Sequence, residues 1–131
     1  MLARNRWFVA AALDYALAGG LVGLAWLANP ELVPGNALRL HAHFMLVGFV
    51  GMMTFGVGLH MLPRFTGRAL FSERAADVQF YAANLGLLTM GAGWLATSPA
   101  LAVAGGALLW AGFALFALNV ILTVRPWGRR G

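Results

Sequence analysis

The segment that decides the fold is LRLHAHFMLVGFVGMMTFGVGLHML, which covers residues 38–62. It is apolar except for one arginine, one threonine and three histidines. About 20 apolar residues are enough for an α-helix to cross the ~30 Å hydrocarbon core of a bilayer. The segment therefore predicts a transmembrane helix. We expect it to stop at Pro63, because proline cannot donate the next helical hydrogen bond.

Three further apolar segments are separated from this one by turn-forming residues such as Asn29-Pro30 and Thr97-Ser98-Pro99. Each is long enough to cross a membrane as a helix. None of the intervening segments is long enough to form a soluble domain. We therefore predict an all-α membrane protein, a single domain of residues 1–131 with four transmembrane helices at about 7–28, 38–62, 78–96 and 101–124.

The composition excludes several classes of protein. Hydrophobic residues make up 61% of the chain and charged residues only 10%. Soluble domains carry about 45–50% hydrophobic residues and ~25% charged residues. The absence of cysteine excludes disulfide frameworks, thiolate zinc sites and iron–sulfur clusters. The net charge is +5, but so apolar a chain has no room for a phosphate-binding face, and we expect no nucleic-acid partner. The expected surroundings are the lipid bilayer.

The arginines are distributed unevenly between the two predicted sides of the membrane. All basic residues are arginines, and only Arg39 falls on the side of the first loop, near Glu31. Because positive residues concentrate on the cytoplasmic side, we predict an integral protein of the cell membrane with both termini in the cytoplasm. The eight arginines on that side are Arg4, Arg6, Arg64, Arg68, Arg74, Arg125, Arg129 and Arg130.

All three histidines lie in the segment quoted above, with His41 and His43 at its outer end and His60 near its inner end. Helix positions two apart differ by about 200° in direction, so His41 and His43 are expected on opposite flanks at one level. Met45 lies one turn from His41, on the same flank. Histidine is the commonest ligand of haem iron and other metals. The alternative is a pair of interfacial histidines bonded to the backbone.

A resemblance to known families rests on two motifs in this segment. HAHFMLVGF at 41–49, followed by GLHMLPRFTGR at 58–68, resembles the tenth helix of subunit I of the haem–copper oxidases. The opening motif and the Pro-x-x-Thr-Gly-Arg ending also resemble the NnrS family of haem- and copper-containing membrane proteins. The close match covers residues 40–70 only, and the other three segments match only in being apolar and glycine-rich.

The resemblance implies roles for individual residues. In the oxidase family the first histidine of the pair ligates the oxygen-binding haem and the second ligates the low-spin haem; these positions are His41 and His43 here. The later histidine, His60, is not a metal ligand in that family. Arg39 and Met45 are further candidates for cofactor binding, Arg39 through haem propionates and Met45 as a soft copper ligand.

The expected function follows from these roles and from what the chain lacks. It has no separate set of copper-ligating histidines and no His-Tyr pair of the oxidase type. We therefore expect a haem b protein with bis-histidine iron that transfers electrons, rather than a complete oxidase. A haem protein that binds or reduces nitric oxide or oxygen is an alternative, and a copper-handling protein that uses His41, His43 and Met45 is another.

The resemblance also implies an assembly. Subunit I of the oxidases is similar to three four-helix arcs around a pseudo-threefold axis, and this chain has the size of one arc. We expect a homotrimer in which His41 of one subunit and His43 of its neighbour hold each iron, with a twofold dimer as the second possibility. A quinone or a cytochrome is the expected redox partner.

Overall fold

The structure, a computed structural model, describes residues 1–125. Residues 126–131 lie outside the described part, and so do Arg129 and Arg130 of the charge distribution above. The described residues form helices joined by turns, and no strand occurs among them. The four long helices are α1 (Ala3–Ala28), α2 (Ala37–Thr66), α3 (Glu73–Leu95) and α4 (Pro99–Val124), with a 3₁₀ turn at Pro30–Leu32 between α1 and α2.

Three of these helices, α1, α2 and α4, are long and apolar enough to cross a membrane. Helix α3 has 23 residues, which is sufficient length, but it does not reach the same mean hydropathy. Gln79, Tyr81 and Asn84 interrupt its apolar sequence. The prediction of an all-α chain is therefore confirmed for the described residues, and three of the four predicted helices are long and apolar enough to cross a membrane.

Two helices begin earlier than the sequence predicted, α1 at Ala3 instead of about residue 7 and α3 at Glu73 instead of about residue 78. The reason is a pair of contacts between their polar first turns. Arg4 of α1 forms ion pairs with Glu73 at 2.8 Å and Asp77 at 3.0 Å. Ion pairing compensates part of the cost of these charges at the end of a membrane helix, so both helices can include a polar first turn.

Helix α2 continues through Pro63, contrary to the prediction that it stops there. A proline in a helix removes one backbone hydrogen bond and does not prevent the following turn from forming. The helix ends at Thr66 because Gly67 takes a left-handed conformation, with φ of 65°, which glycine adopts without steric cost. The Thr66 hydroxyl donates to the carbonyl of Leu62 at 2.8 Å, one turn back along the helix.

The middle of α2 is also different from the regular helix that the sequence predicted. Residues Phe44–Gly51 form a π-helical segment that starts directly after His43. Such segments are rare and often occur at functional sites. Gly48 lies in this segment against the ring of Tyr15, which occupies the space where a side chain would be. The π-helical segment therefore widens α2 where α1 crosses it.

Small residues set the spacing of the helices. Gly86 and Gly105 bring α3 and α4 into backbone contact, because a Cβ atom at either one would collide with the backbone of the other helix. On the other side of the bundle, Gly56 of α2 lies against Phe8 of α1. The core between these pairs consists of fully buried side chains, the largest being Phe8, Met52, Leu59 and Leu87.

The two ends of the bundle differ in charge. Arg4 meets Glu73 at one end, where Arg68 also donates to the carbonyl of Arg125 at 3.0 Å; we call this the arginine end. At the opposite end the amide of Asn36 donates to the carbonyl of Trp94 at 3.3 Å. This second end carries His41 and His43, and we call it the histidine end.

Candidate functional site

His41 lies in the second turn of α2 and faces α1. Its Nδ1 is 2.7 Å from the backbone carbonyl oxygen of Gly19. Gly23, one turn further along α1, leaves the space for the ring, because a Cβ atom there would lie 2.6 Å from Nδ1 and 2.7 Å from Cε1. The position of the His41 imidazole is thus determined by two glycines of the neighbouring helix.

His43 lies on the other flank of α2 and faces α3. Its Nδ1 is 3.0 Å from the carbonyl oxygen of Arg39 in the preceding turn. Its ring packs against the indole of Trp94, with ring centroids 4.5 Å apart and a tilt of 58°. The two imidazoles therefore lie on opposite flanks of one helix, as their spacing predicted.

The hydrogen bonds determine which tautomer each ring adopts when it is neutral. A carbonyl oxygen can only accept a hydrogen bond, so each Nδ1 must carry the proton and donate it. The lone pair of a neutral imidazole is then on Nε2. This is the arrangement found in histidines that ligate metals, where the second ring nitrogen is held by a carbonyl or a carboxylate. His41 and His43 both have it.

A groove of about 360 Å³ opens beside His41 between α1 and α2. We call it the His41 groove. Apart from the imidazole its walls are apolar or glycine, and they are formed by Gly20, Gly23, Leu24, Trp26, Leu27, Ala37 and Leu38. A low-polarity groove with one imidazole is suited to an apolar ring system that needs one axial ligand.

A second cleft of about 520 Å³ lies on the opposite flank, and we call it the Trp94 cleft. Arg39 and Trp94 form part of its wall, together with Gly93 and the turn at residues 97–99. The Arg39 side chain is exposed, so its guanidinium is free to meet an anionic group at the histidine end. The cleft is more polar than the His41 groove.

Met45 lies on the flank of His41. Both side chains contact the same helix, since a Cβ atom at Gly19 would lie 3.1 Å from the Met45 sulfur. Met45 is partly buried there. The structure thus brings Met45 and His41 to one flank of α2 and places Arg39 and His43 on the other.

His60 lies near the arginine end, in a cleft that also includes Asn5, Arg64 and Glu73. It is separated from His41 by most of the length of α2. Within residues 1–125, no three His, Cys, Asp or Glu side chains are close enough together to hold a metal ion. Any metal bound at His41 or His43 would therefore need a ligand from outside the chain, or a macrocycle that supplies the other donors.

The sequence did not reveal three features of this site: the partner of His41, the packing of Trp94, and the π-helical segment. Gly19 and Gly23 are spaced one turn apart on α1, which indicates a close helix contact but not which side chain occupies it. The irregular segment contains Gly48 and ends at Gly51.

Comparison with known proteins gives no relative. No family model, curated protein or solved structure matches the chain.

Proposed function

We propose that this chain is a membrane haem b protein that transfers electrons, with its iron held by two histidines. The observation that carries the proposal is the pair of Nδ1–H···O=C hydrogen bonds at His41 and His43. Each bond leaves Nε2 unprotonated and directed away from its carbonyl partner. Two neutral imidazoles prepared in this way, in a chain without cysteine, suit haem iron, to which the porphyrin supplies the other four nitrogens.

The opposite directions of His41 and His43 support an assembly of several chains. One chain cannot direct both imidazoles at one iron, because His41 packs against α1 and His43 against α3. A ring of subunits solves this problem if the His41 groove of one subunit faces the His43 flank of α2 in the next. Such a head-to-tail contact forms a closed ring when a rotation axis relates the subunits. We favour three subunits with three haems, and a dimer is the second possibility.

The remaining candidate residues have supporting roles in this proposal. Arg39 is exposed beside the Trp94 cleft, where its guanidinium can pair with haem propionates. Met45 would contribute an apolar wall beside His41. Haem, when bound, supplies a reversible one-electron iron couple. The protein holds the ligands, excludes water and sets the charge around the iron.

Copper handling is the second candidate function, and one observation favours it. Met45 and His41 lie together against Gly19, and thioether with imidazole is a ligand pair that suits copper. Two ligands are fewer than a stable site needs, so this function also requires a donor from a second chain.

The proposal includes the placement of the chain in the membrane. We infer that α3 crosses the bilayer with the other three helices, since it packs along the length of α4 through Gly86, Ala83 and Gly93. We expect the arginine end to face the cytoplasm. The histidine end would then lie towards the outer surface. Labelling of a cysteine introduced at residue 72 tests the orientation, because reaction with an external, impermeant reagent would contradict it.

An absorption spectrum of the purified protein tests the cofactor. A Soret band with sharp α and β bands after reduction is expected for low-spin bis-histidine haem, and its absence would leave copper analysis as the next measurement. His41→Ala and His43→Ala should each lose the haem or convert it to a high-spin form. His60→Ala is the matched control and should leave the reduced spectrum unchanged. Loss of haem from His60→Ala alone would contradict the assignment.

Native mass spectrometry with haem quantification tests the assembly. Three chains with three haems are expected. Two chains with fewer haems would favour the dimer, and a monomer that retains haem would contradict an interface between subunits.

A further inference from the structure

A groove of about 700 Å³ opens between the first turns of α1 and α3, at the arginine end of the bundle. We call it the Arg4 groove. It is separate from the site of the histidines, which lies at the other end. Three charged side chains and three aromatic side chains face it: Arg4, Glu73 and Asp77, and Trp7, Phe80 and Tyr81.

The charges in the Arg4 groove do not balance. Arg4 brings one positive charge against the two carboxylates of Glu73 and Asp77, so one negative charge remains. Each carboxylate lies within 3.0 Å of a guanidinium nitrogen and is about half exposed at the end of the bundle, so both are ionised at neutral pH. The guanidinium is almost completely buried between them. The exposed surface of this cluster is therefore anionic.

The carboxylates also have hydrogen-bond acceptors that Arg4 does not use. Its Nη1 donates to Oδ1 of Asp77 at 3.0 Å and to the backbone carbonyl of Glu73 at 3.1 Å. Its Nη2 lies 2.8 Å from Oε2 of Glu73, but the angles are not those of a hydrogen bond. The Glu73 carboxylate thus keeps its acceptor sites for a donor from outside the chain. A cation that carries N–H groups satisfies both the charge and these acceptors.

The charged and the aromatic side chains lie at different depths. Both helices begin at the arginine end. Trp7 follows Arg4 by three residues and Tyr81 follows Asp77 by four, which places the rings about 5–6 Å deeper along the helices. Trp7 and Tyr81 are about half exposed, and such rings are typical of the headgroup level of a bilayer. The groove therefore changes from anionic to aromatic towards the membrane interior.

The aromatic wall is continuous with an apolar surface on α3. The ring centroids of Trp7 and Phe80 are 6.1 Å apart, and those of Phe80 and Tyr81 are 5.4 Å apart. Beyond Tyr81, the exposed residues Leu85 and Leu88 follow at spacings of four and three residues, which places them on the same face of the helix. This sequence of surfaces suits an amphiphile with a cationic end and an apolar chain.

We propose that the Arg4 groove binds the headgroup of phosphatidylethanolamine. Its terminal ammonium carries one positive charge and three N–H donors, which match the remaining negative charge and the open acceptors of Glu73 and Asp77. The indole N–H of Trp7 and the hydroxyl of Tyr81 are donors for the phosphate and ester oxygens one turn deeper. Phosphatidylcholine has the positive charge without N–H groups, and phosphatidylglycerol has no cation. The proposal rests on the proposed placement of α3 in the bilayer and does not depend on haem.

Native mass spectrometry of the full chain in detergent tests the choice of headgroup. The chain is titrated separately with dioleoyl phosphatidylethanolamine, its N,N-dimethyl derivative and dioleoyl phosphatidylcholine. We expect phosphatidylethanolamine to bind at least about tenfold more tightly than phosphatidylcholine, because the latter cannot donate to a carboxylate. The dimethyl lipid, with one N–H, should lie between them. Equal affinities for the first and the last, or tighter binding of phosphatidylcholine or of phosphatidylglycerol, would overturn the proposal.

Two variants separate the ammonium contact from the phosphate contact. Glu73→Gln should remove most of the preference for phosphatidylethanolamine, because it removes a charge from the ammonium site. Glu31→Gln is the matched control: Glu31 is exposed in the 3₁₀ turn at the histidine end, and this variant should keep the full preference. Tyr81→Phe should weaken the binding of both lipids equally, since both contain the phosphate. A full preference in Glu73→Gln would overturn the proposal.

Tyr81→Phe keeps the test decisive if Glu73→Gln does not fold, which thermal unfolding shows. Unchanged binding of both lipids by Tyr81→Phe would also overturn the proposal. A soluble amine is distinguished from a lipid by competition with phosphorylethanolamine, which has the headgroup without acyl chains. Displacement of the lipid by an equal concentration of phosphorylethanolamine would overturn the choice of a lipid.

This proposal and the proposed function can fail separately. External labelling at residue 72, in a protein that prefers phosphatidylethanolamine, would refute the orientation and leave the groove. The expected haem spectrum in a protein with equal affinity for the two lipids would refute the groove and leave the haem assignment.

Discussion

Gly23→Ala is expected to separate haem affinity from protein stability. A Cβ atom at position 23 would lie 2.6 Å from Nδ1 and 2.7 Å from Cε1 of His41. Ordinary van der Waals contact begins at about 3.4 Å, so the ring must move by about 0.8 Å. A movement of this size along the Nδ1···O line would lengthen the bond to the Gly19 carbonyl from 2.7 Å to about 3.5 Å, which is too long for a hydrogen bond.

Two energies of similar size then oppose each other in the folded state. The lost hydrogen bond costs about 1 kcal/mol, whereas alanine favours a helix over glycine by about 1 kcal/mol. We therefore expect the free energy of unfolding of the haem-free protein to change little. The haem affinity has no such compensation. Disturbing the hydrogen bond that orients a ligating histidine usually lowers affinity about 10- to 100-fold.

Haem titration of the haem-free protein, followed by the Soret absorbance, measures the affinity, and thermal unfolding in the same detergent measures the stability. Gly58→Ala is the matched control on α2. A Cβ atom there would meet only the ring of Phe116, at 3.6 Å, so this variant should keep the original affinity. If Gly23→Ala binds haem as tightly as Gly58→Ala, the carbonyl of Gly19 does not orient a ligand and the argument from His41 fails.

Two further variants test how the helices are held together. Gly105→Ala should prevent α3 and α4 from packing, because its Cβ atom would collide with the backbone of Met90. Gly106→Ala is the control: its Cβ atom meets only the sulfur of Met90, at 3.6 Å, and this variant should unfold at the original temperature. Arg4→Ala should lower the free energy of unfolding by about 1 kcal/mol, since the arginine is buried but both carboxylates are about half exposed; Arg6→Ala, at an exposed position, is the control. Chemical denaturation at low and high salt measures the free energy of unfolding of Arg4→Ala. A decrease in this free energy that does not depend on salt would argue against an ion pair.

The prediction of four helices from the sequence agrees closely with the structure at some boundaries and poorly at others. The end of α1 at Ala28 and of α4 at Val124 were placed correctly. Both follow from local signals, an apolar run and the turn or proline after it. The starts of α1 and α3 were placed too late, because the charges of Arg4 and Asp77 appear unfavourable for a membrane helix until they are seen as a pair. A contact between residues 73 positions apart has no local signal.

For the candidate site, too, the sequence predicted some features and missed others. The two-residue spacing of His41 and His43 was enough to place them on opposite flanks, and the π-helical segment begins only at Phe44, after both. Their roles as iron ligands stay a prediction. The sequence could not show that Trp7 and Asp77 share one groove, since they lie on helices that are not adjacent in the chain.

The sequence by itself determined the all-helical architecture, the presence of apolar segments long enough to cross a membrane, and the order of the histidines along α2. These properties depend on hydropathy and periodicity within one segment. Each apolar segment has its own free energy of transfer from water into the bilayer, so they can be read one segment at a time. The tertiary structure decided which nitrogen of His41 is free, because its acceptor is the carbonyl of Gly19 in another helix. It also decided that Gly23 is the residue that leaves space for the His41 ring. Hydrogen bonds and steric contacts act over a few ångströms between packed segments, and only the packing of α1 against α2 brings these atoms within that range.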